Sequence, residues 1–283
     1  MTENQKAYRQ VLKATSLFGG VQVVSIIAAI LRSKVAALFI GPIGIGILGL
    51  LNSALNLITS VSKLGLDSSS IKEIAATNSL NDNKQVSTVI NTLKRLLWIT
   101  GIVGALLTLI FSPLLSQLTF QNTDYTFAFR WLSIAVLFKQ LTLGDFAILQ
   151  GLRKLKKLAQ VNLYGSLVSV IIAVPMFYFF GIDGIVPTIV LTAVFGFLVS
   201  RYFTFSVKVE KEHQSFIDTF RNGKPMIKLG ITLSIGSLVT LLVAFIIQVY
   251  ITNVGGLEEV GFYNAGIIII NSYVGLIFEA MSK

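Results

Sequence analysis

The sequence predicts an all-α fold: a polytopic transmembrane helical bundle of about eight spans. Three observations carry this expectation. Hydrophobic residues make up 54% of the 283 residues and charged residues only 13%, about half the charged share of a soluble domain. Apolar runs of about 20 residues, the length that crosses a bilayer, recur along the whole chain. Charge is segregated into the loops between them. A disordered chain, a secreted disulfide scaffold and an ordinary soluble enzyme are disfavoured together.

The spans are expected at residues 13–40, 44–64, 92–116, 128–150, 159–180, 184–204, 227–251 and 260–280. Gly41-Pro42 separates the first two, and proline suits a first helical position. Asn81-Asp82-Asn83 lies in a polar loop, Gly181 to Gly184 makes a tight turn, and Gly255-Gly256 parts the last two spans. Pro175 is expected to kink the fifth span. The first span is too long and polar for a cleavable signal, and no small-residue cleavage site follows it. The longer loops, 65–91 and 205–226, are expected to carry short interfacial helices.

The net charge of +10 would suggest nucleic acid in a soluble protein. Here its distribution points to membrane orientation, and no nucleic-acid partner is expected. Lys6, Arg9 and Lys13 precede the first span, and Lys63, Lys72, Lys84, Lys94 and Arg95 lie in or beside the second loop. Arg153, Lys154, Lys156 and Lys157 form the fourth loop, and Arg201, Lys208, Lys211, Arg221, Lys224 and Lys228 flank or fill the sixth. The intervening loops carry Asp124, Asp183, Glu258 and Glu259. The positive-inside rule then puts the N-terminus in the cytoplasm and the basic loops against phospholipid headgroups.

Chemistry that needs clustered ligands is absent. There is no Cys and a single His, His213, so zinc, iron–sulfur, disulfide and thiol chemistry have no residues to use. The glycines of Gly41-Pro42-Ile43-Gly44-Ile45-Gly46 lie between two spans, without the strand and lysine of a phosphate loop. The outer carboxylates are isolated or sit at a loop tip. No enzyme activity, cofactor or metal is expected.

A faint repeat runs at one offset, the 228 − 13 = 215 that separates Lys228 from Lys13. It also pairs Val24 with Val239, Ala29 with Ala244, Gly41 with Gly256, Gly46 with Gly261, and Asn56 with Asn271. The glycines align at a turn and the lysines at the start of a span. The second copy begins after six spans, so both copies keep one orientation, as in a parallel repeat about an axis along the membrane normal. The expected organisation is a six-span lobe over 1–207, a cytoplasmic linker over 208–226, and the first two spans of a second lobe over 227–283.

Polar residues inside spans mark cavities or helix contacts. Thr15, Gly19, Gln22, Ser25, Ala29 and Arg32 fall on one face of the first span. Gly230, Ser234, Ser237, Thr240 and Ala244 echo it in the second copy, where Ile247 replaces Arg32. Lys34 lies about 200° round from Arg32, so the two cannot line one cavity. Arg32 lies on the polar face and is the cavity candidate, with snorkelling to the outer interface as its other reading. The second span carries Asn52, Asn56, Thr59 and Lys63, and the eighth carries Asn264, Asn271, Gly275 and Glu279. These serve either interhelical packing or a polar cavity wall. Lys139 is the sharpest residue. It sits halfway along its span, roughly 16 Å from either end, at an insertion cost of about 2.5–3.5 kcal/mol. It should face water, an anionic substrate or a counter-ion on another span. Asp145, about 120° round and about 9 Å along, is a poor intrahelical partner. The candidate substrate-binding residues are Arg32, Lys139, Gln22, Asn56 and Asn271, with Asp145 and Glu279 as coupling or ion-pair residues.

Leu12-Lys13-Ala14-Thr15-Ser16-Leu17-Phe18-Gly19-Gly20, Arg32-Ser33-Lys34-Val35-Ala36 and Gly41-Pro42-Ile43-Gly44-Ile45-Gly46 resemble the polysaccharide biosynthesis flippases. More narrowly, they resemble the lipopolysaccharide O-antigen translocases of the multidrug/oligosaccharidyl-lipid/polysaccharide exporter superfamily. Asn271-Ser272-Tyr273-Val274-Gly275 and Phe278-Glu279-Ala280-Met281 are similar to the start of that family's second lobe. The resemblance implies two lobes around a central cavity and alternating access. The cargo would be undecaprenyl-diphosphate-linked oligosaccharide, moved across the bacterial inner membrane. It also implies cavity cations for the diphosphate, a role that suits Arg32 and Lys139, and other polysaccharide assembly proteins as partners. Against a twelve-span member the chain lacks roughly the last four spans, so it is expected to be either a working flippase or an inactive part of one. A cation-coupled multidrug exporter of the same superfamily and a non-transporting remnant are the alternatives.

Overall fold

The computed structural model describes residues 3–80, 82–207 and 216–270, with side chains from Gly20 in the first helix and Asp218 in the last. Every regular element among them is helical: α1 (Glu3–Phe39), α2 (Gly41–Ser62), α3 (Leu66–Ser79), α4 (Asn83–Ile110), α5 (Ser112–Phe120), α6 (Thr126–Gly151), α7 (Leu155–Phe180), α8 (Ile185–Phe205) and α9 (Phe216–Ile269), with a 3₁₀ turn at Gly181–Gly184 between α7 and α8. Within α1, α2, α4, α6, the α7–α8 segment and α9 lie stretches long and apolar enough to cross a membrane. The α7–α8 segment doubles back at its 3₁₀ turn. α9 changes direction at Gly256, whose φ of 85° and ψ of −177° only glycine adopts readily. Among the described residues the helices therefore make seven full passes and begin an eighth. The chain is a multi-pass membrane protein.

Local chemistry sets most of the boundaries. Pro42 opens α2, where its missing N–H costs no hydrogen bond. Asp82 caps α4 by accepting from the Gln85 N–H at 3.0 Å. The third span ends earlier than expected, at Ile110. Pro113 starts a separate short helix, α5, because its ring cannot continue the hydrogen-bond ladder of α4. Pro175 lies inside α7, which continues through it as one helix. The 65–91 loop does carry a helix, α3, on the face of the bundle with the basic loops, here the basic face.

α6 is the most buried span and the axis of the fold. It packs on α2, α3, α4, α5, α7 and α8. Around its first half, Phe129, Leu132, Ala135 and Val136 meet Leu50, Leu51, Ala54 and Leu55 of α2. Around its second half, Leu141, Ala147 and Ile148 meet Leu93, Leu96 and Leu97 of α4 and Leu66 and Ile74 of α3.

α2 and α9 approach closely at two levels. On the basic face Gly65 has φ 66°, and a Cβ there would overlap the Gly230 carbonyl of α9. On the opposite face Gly46 and Gly49 of α2 lie against Gly261 and Asn264, beyond the Gly256 break. Successive contacts thus run the same way along α2 and along the second arm of α9, so the second arm is parallel to α2 and reversed relative to the first.

Gly65 combines a left-handed backbone with a backbone-to-backbone contact. Gly65→Val is expected to lower stability in detergent by at least about 1–3 kcal/mol. Gly196→Ala, at a helical site open to a Cβ, should be neutral or stabilising by up to about 1 kcal/mol. Thermal unfolding of the two variants beside the wild type checks the contrast.

Candidate functional site

One face of α2 carries Gly46, Gly49, Ser53, Asn56, Ser60 and Lys63 at helical spacing. Its glycine end is closed against the second arm of α9. Past Asn264 that arm becomes exposed, with Ile268, Ile269 and Ile270 at 36%, 58% and 53%. The second arm of α9 therefore touches α2 at the glycine end, while toward the basic face the same side of α2 carries a wall of polar residues. Asn56 and Lys63 are partly exposed along this wall.

Lys139 reaches the same wall from α6. Its Nζ donates to Asn56 Oδ1. The next residue, Gln140, is buried and donates from Nε2 to Thr100 Oγ1 on α4. Consecutive side chains about 100° apart thus lock α6 between α2 and α4. Lys63, two turns beyond Asn56, is near enough for its charge to act on Lys139. Lys63 is itself paired with Asp67 of α3 at 2.7 Å. The Asp67 Oδ1 atom is buried with no hydrogen-bond partner. The wall thus holds two ammonium groups and one carboxylate, with Lys139 held by a neutral amide. That arrangement has unspent positive charge and suits an anion.

Asp145 is buried on a different side of α6. Ser200 Oγ of α8 donates to its Oδ2 at 3.2 Å, and Arg201 Nη1 lies 3.6 Å from its Oδ1. Lys94 of α4 also acts on its charge. Asp145 therefore ties α8 to α6 near the basic face and does not pair with Lys139. Arg201 and Ser200 as its partners were not legible in the sequence. Arg201 reads as one more positive-inside residue, and only its position at the basic end of α8, level with Asp145 on the neighbouring pass, hints at the pair.

The polar stripe of α1 is turned partly inward. Ser25 Oγ donates to Ser166 Oγ of α7 at 3.4 Å, and α1 packs mainly on α7. Arg32, seven residues on and about 20° round from Ser25, shares that face, and its side chain is exposed. Gln22 is exposed on the same helix. Lys34, on the opposite side, is exposed as well. Arg32 and Lys139 occupy separate places, one on α1 near its Phe39 end and one at mid-depth against α2. Asn271 and Glu279 lie outside the described residues.

A family described as "Polysaccharide biosynthesis protein" matches residues 11–282. The chain belongs to that polysaccharide biosynthesis family. Among solved structures it is similar to one titled as the inward-facing conformation of a multidrug resistance MATE family transporter of the MOP superfamily. The TM-score is 0.62 at 15% identity, over 85% of this chain and 56% of that one. At that identity the likeness is one of fold, and the chain spans 56% of that transporter's length. No curated protein matches. The sequence resemblance to polysaccharide flippases of this superfamily thus agrees with both the family and the fold.

Asn56 is the acceptor that satisfies Lys139. Asn56→Leu should strand the ammonium and cost about 1–3 kcal/mol. Lys139→Met on top of Asn56→Leu should recover much of that loss. A double-mutant cycle on unfolding in detergent measures the coupling, expected at about 0.5–3 kcal/mol. Additive effects would mean that the bond contributes nothing.

Proposed function

We propose that this polysaccharide biosynthesis family member translocates undecaprenyl-diphosphate-linked O-antigen or related polysaccharide repeat units across the bacterial inner membrane by alternating access. The observation that carries this reading is Lys139, at mid-depth, held by Asn56 on the polar wall of α2. A diphosphate meets the charge that Asn56 leaves uncompensated. At an effective dielectric of 20, two unit charges 4 Å apart attract by about 4 kcal/mol, enough to offset much of the cost of bringing a headgroup to that depth. Lys63 supplies a second cation when its Asp67 partner turns aside.

In this reading the N-terminus and the basic face are cytoplasmic, in keeping with the positive-inside rule. Residues 1–207 act as one lobe, 208–226 as a linker and 227–283 as the start of the second lobe. The binding set is Lys139 and Asn56, with Arg32, Gln22 and Asn271 as further candidates. Glu279 is a coupling candidate. The partners are lipid-linked oligosaccharide and bilayer phospholipid, together with polysaccharide assembly proteins, and neither catalysis nor a cofactor enters. A cation-coupled drug exporter is the second reading, favoured by the MATE-like fold. It would want a mid-membrane carboxylate open to a cation, whereas Asp145 is buried beside Arg201 and Ser200.

The test is complementation of a flippase-null strain, scoring surface polysaccharide with membrane insertion verified. Wild type should rescue. Lys139→Ala, which loses a charge-assisted hydrogen bond of about 1.5–3 kcal/mol, should lower surface polysaccharide about tenfold or more. Arg32→Ala should lower it less, and Lys139→Arg should retain part of the activity. Full rescue by Lys139→Ala, or no rescue by a well-inserted wild type, would overturn the reading.

A further inference from the structure

We infer that the face of α6 lying between α4 and α8 is a binding groove for one anionic phospholipid of the leaflet on the basic face. The headgroup phosphate sits against Lys94 of α4 and Arg201 of α8, and an acyl chain lies over the aromatic and aliphatic side chains between those helices. The inference rests on the membrane-spanning fold and is independent of the transport reading.

Helix geometry builds the groove. Phe127, Trp131, Ile134 and Phe138 recur along α6 at spacings of four, three and four, which makes one stripe. The first three are exposed. α4 and α8 both pack on α6 and make little contact with each other. Leu137 faces α4, where a Cβ on Gly101 would lie 2.9 Å from its Cδ1. Phe138 faces α8, its ring centroid 5.5 Å from that of Phe197. Successive residues of α6 thus touch the two flanking helices, and the stripe runs between them. Trp98, one turn from Lys94, and Leu198, three residues before Arg201, are exposed along the flanks. Asp145, seven residues past Phe138, continues the stripe toward the basic face and is buried there. An apolar stripe that ends in charged groups at one membrane face has the layout of a phospholipid, with chains at depth and headgroup at the edge.

The charges at that end do not balance. Asp145 carries one negative charge and has Arg201 Nη1 3.6 Å away. Lys94 is a second cation, partly buried and without an ion pair among the described residues. Arg201 repels it more strongly than Asp145 attracts it. With Asp145 engaged by Arg201, the cluster keeps one surplus positive charge. A single phosphodiester supplies the missing negative charge, and the guanidinium N–H groups turned away from Asp145 add donors. The Arg201 side chain is 44% exposed and free to make that contact. Basic pockets between spanning helices at such a face suit anionic headgroups. Phosphatidylglycerol fits this balance, whereas phosphatidylethanolamine brings an ammonium of its own to a site already rich in cations. Neighbouring basic residues are engaged elsewhere: Arg95 donates to Thr219 Oγ1 at 3.3 Å and Lys157 to Ser206 Oγ. An occupant of the groove also bridges α4 to α8, which otherwise meet mainly through α6.

The two tryptophans of the chain, Trp98 and Trp131, both lie along this groove and report on it. Trp131→Phe leaves Trp98, near the headgroup end, as the single indole. The chain is reconstituted in phosphatidylcholine bilayers that contain phosphatidylglycerol brominated on its acyl chains, or brominated phosphatidylcholine at the same mole fraction. Brominated phosphatidylglycerol should quench Trp98 with an apparent affinity about fivefold higher, the effect of about one cation near the headgroups. Lys94→Gln should abolish the preference and Lys94→Arg should keep it. Lys156→Gln, at an exposed basic residue opening α7, should leave it unchanged. Brominated phosphatidylethanolamine should behave like phosphatidylcholine, a comparison that needs no charge variant should Lys94→Gln fail to insert. Inorganic phosphate should not relieve the quenching, because a free anion lacks the chain. Equal quenching by all three lipids, or a preference that survives Lys94→Gln, would overturn the site. Loss of the preference in Lys156→Gln would overturn it too, by assigning the attraction to the basic surface at large. Relief by inorganic phosphate, or by undecaprenyl diphosphate at a lower mole fraction than phosphatidylglycerol, would give the groove to another occupant and contradict the inference equally. No arm reads transport, so failure of the proposed function leaves this test intact.

Discussion

A lysine ammonium halfway along a membrane-spanning helix must be satisfied from inside the protein, because lipid offers nothing in return. The chain meets this demand with one neutral acceptor, Asn56 of α2. Much of the architecture follows. α6 must lie beside α2, and Gln140 fixes its rotation against α4. The apolar halves of α6 then fill in above and below this polar level. Because the acceptor is an amide rather than a carboxylate, the charge is held in place without being neutralised. A carboxylate there would have made a closed ion pair of the kind Asp145 makes with Arg201, useful for tying helices and of little use for meeting an anion.

α2 links the parts. Its buried side packs on α6 through Leu50, Leu51, Ala54 and Leu55. Its other side changes along its length from glycine to polar residues. Glycine permits backbone contact with α9 on the opposite face, and Ser53, Asn56, Ser60 and Lys63 follow on the same side toward the basic face. A single stiff helix thus carries the glycine contact with α9 and the acceptor for the candidate binding charge, about 10 Å apart along one face.

Much of this was legible in the sequence because bilayer crossing leaves a strong signal. Run length marks the spans, and glycine and proline mark most of the turns. The cost of an intramembrane charge singles out Lys139 without any knowledge of its neighbours. The glycines at Gly41 and Gly46 and their counterparts Gly256 and Gly261 were visible as a repeat, and both turn glycines have positive φ. Which faces meet was not legible. The Ser25 stripe reads equally well as cavity lining or as packing, and it packs on α7. Arg201 looks like a topology signal until Asp145 is seen beside it. The early end of α4 depends on Pro113, which the apolar run conceals. Contacts between distant spans depend on rotation about each helix axis, and hydropathy along one span does not encode the rotation of its neighbour.

The central claim is that Lys139 holds an uncompensated charge for a lipid diphosphate. The most direct measurement compares binding of undecaprenyl diphosphate and undecaprenyl monophosphate to the purified chain in nanodiscs, for wild type and Lys139→Met. The account predicts that wild type favours the diphosphate by about tenfold, the equivalent of about 1.4 kcal/mol, and that Lys139→Met removes the preference while leaving monophosphate binding largely unchanged. An unaltered diphosphate preference in Lys139→Met would contradict it.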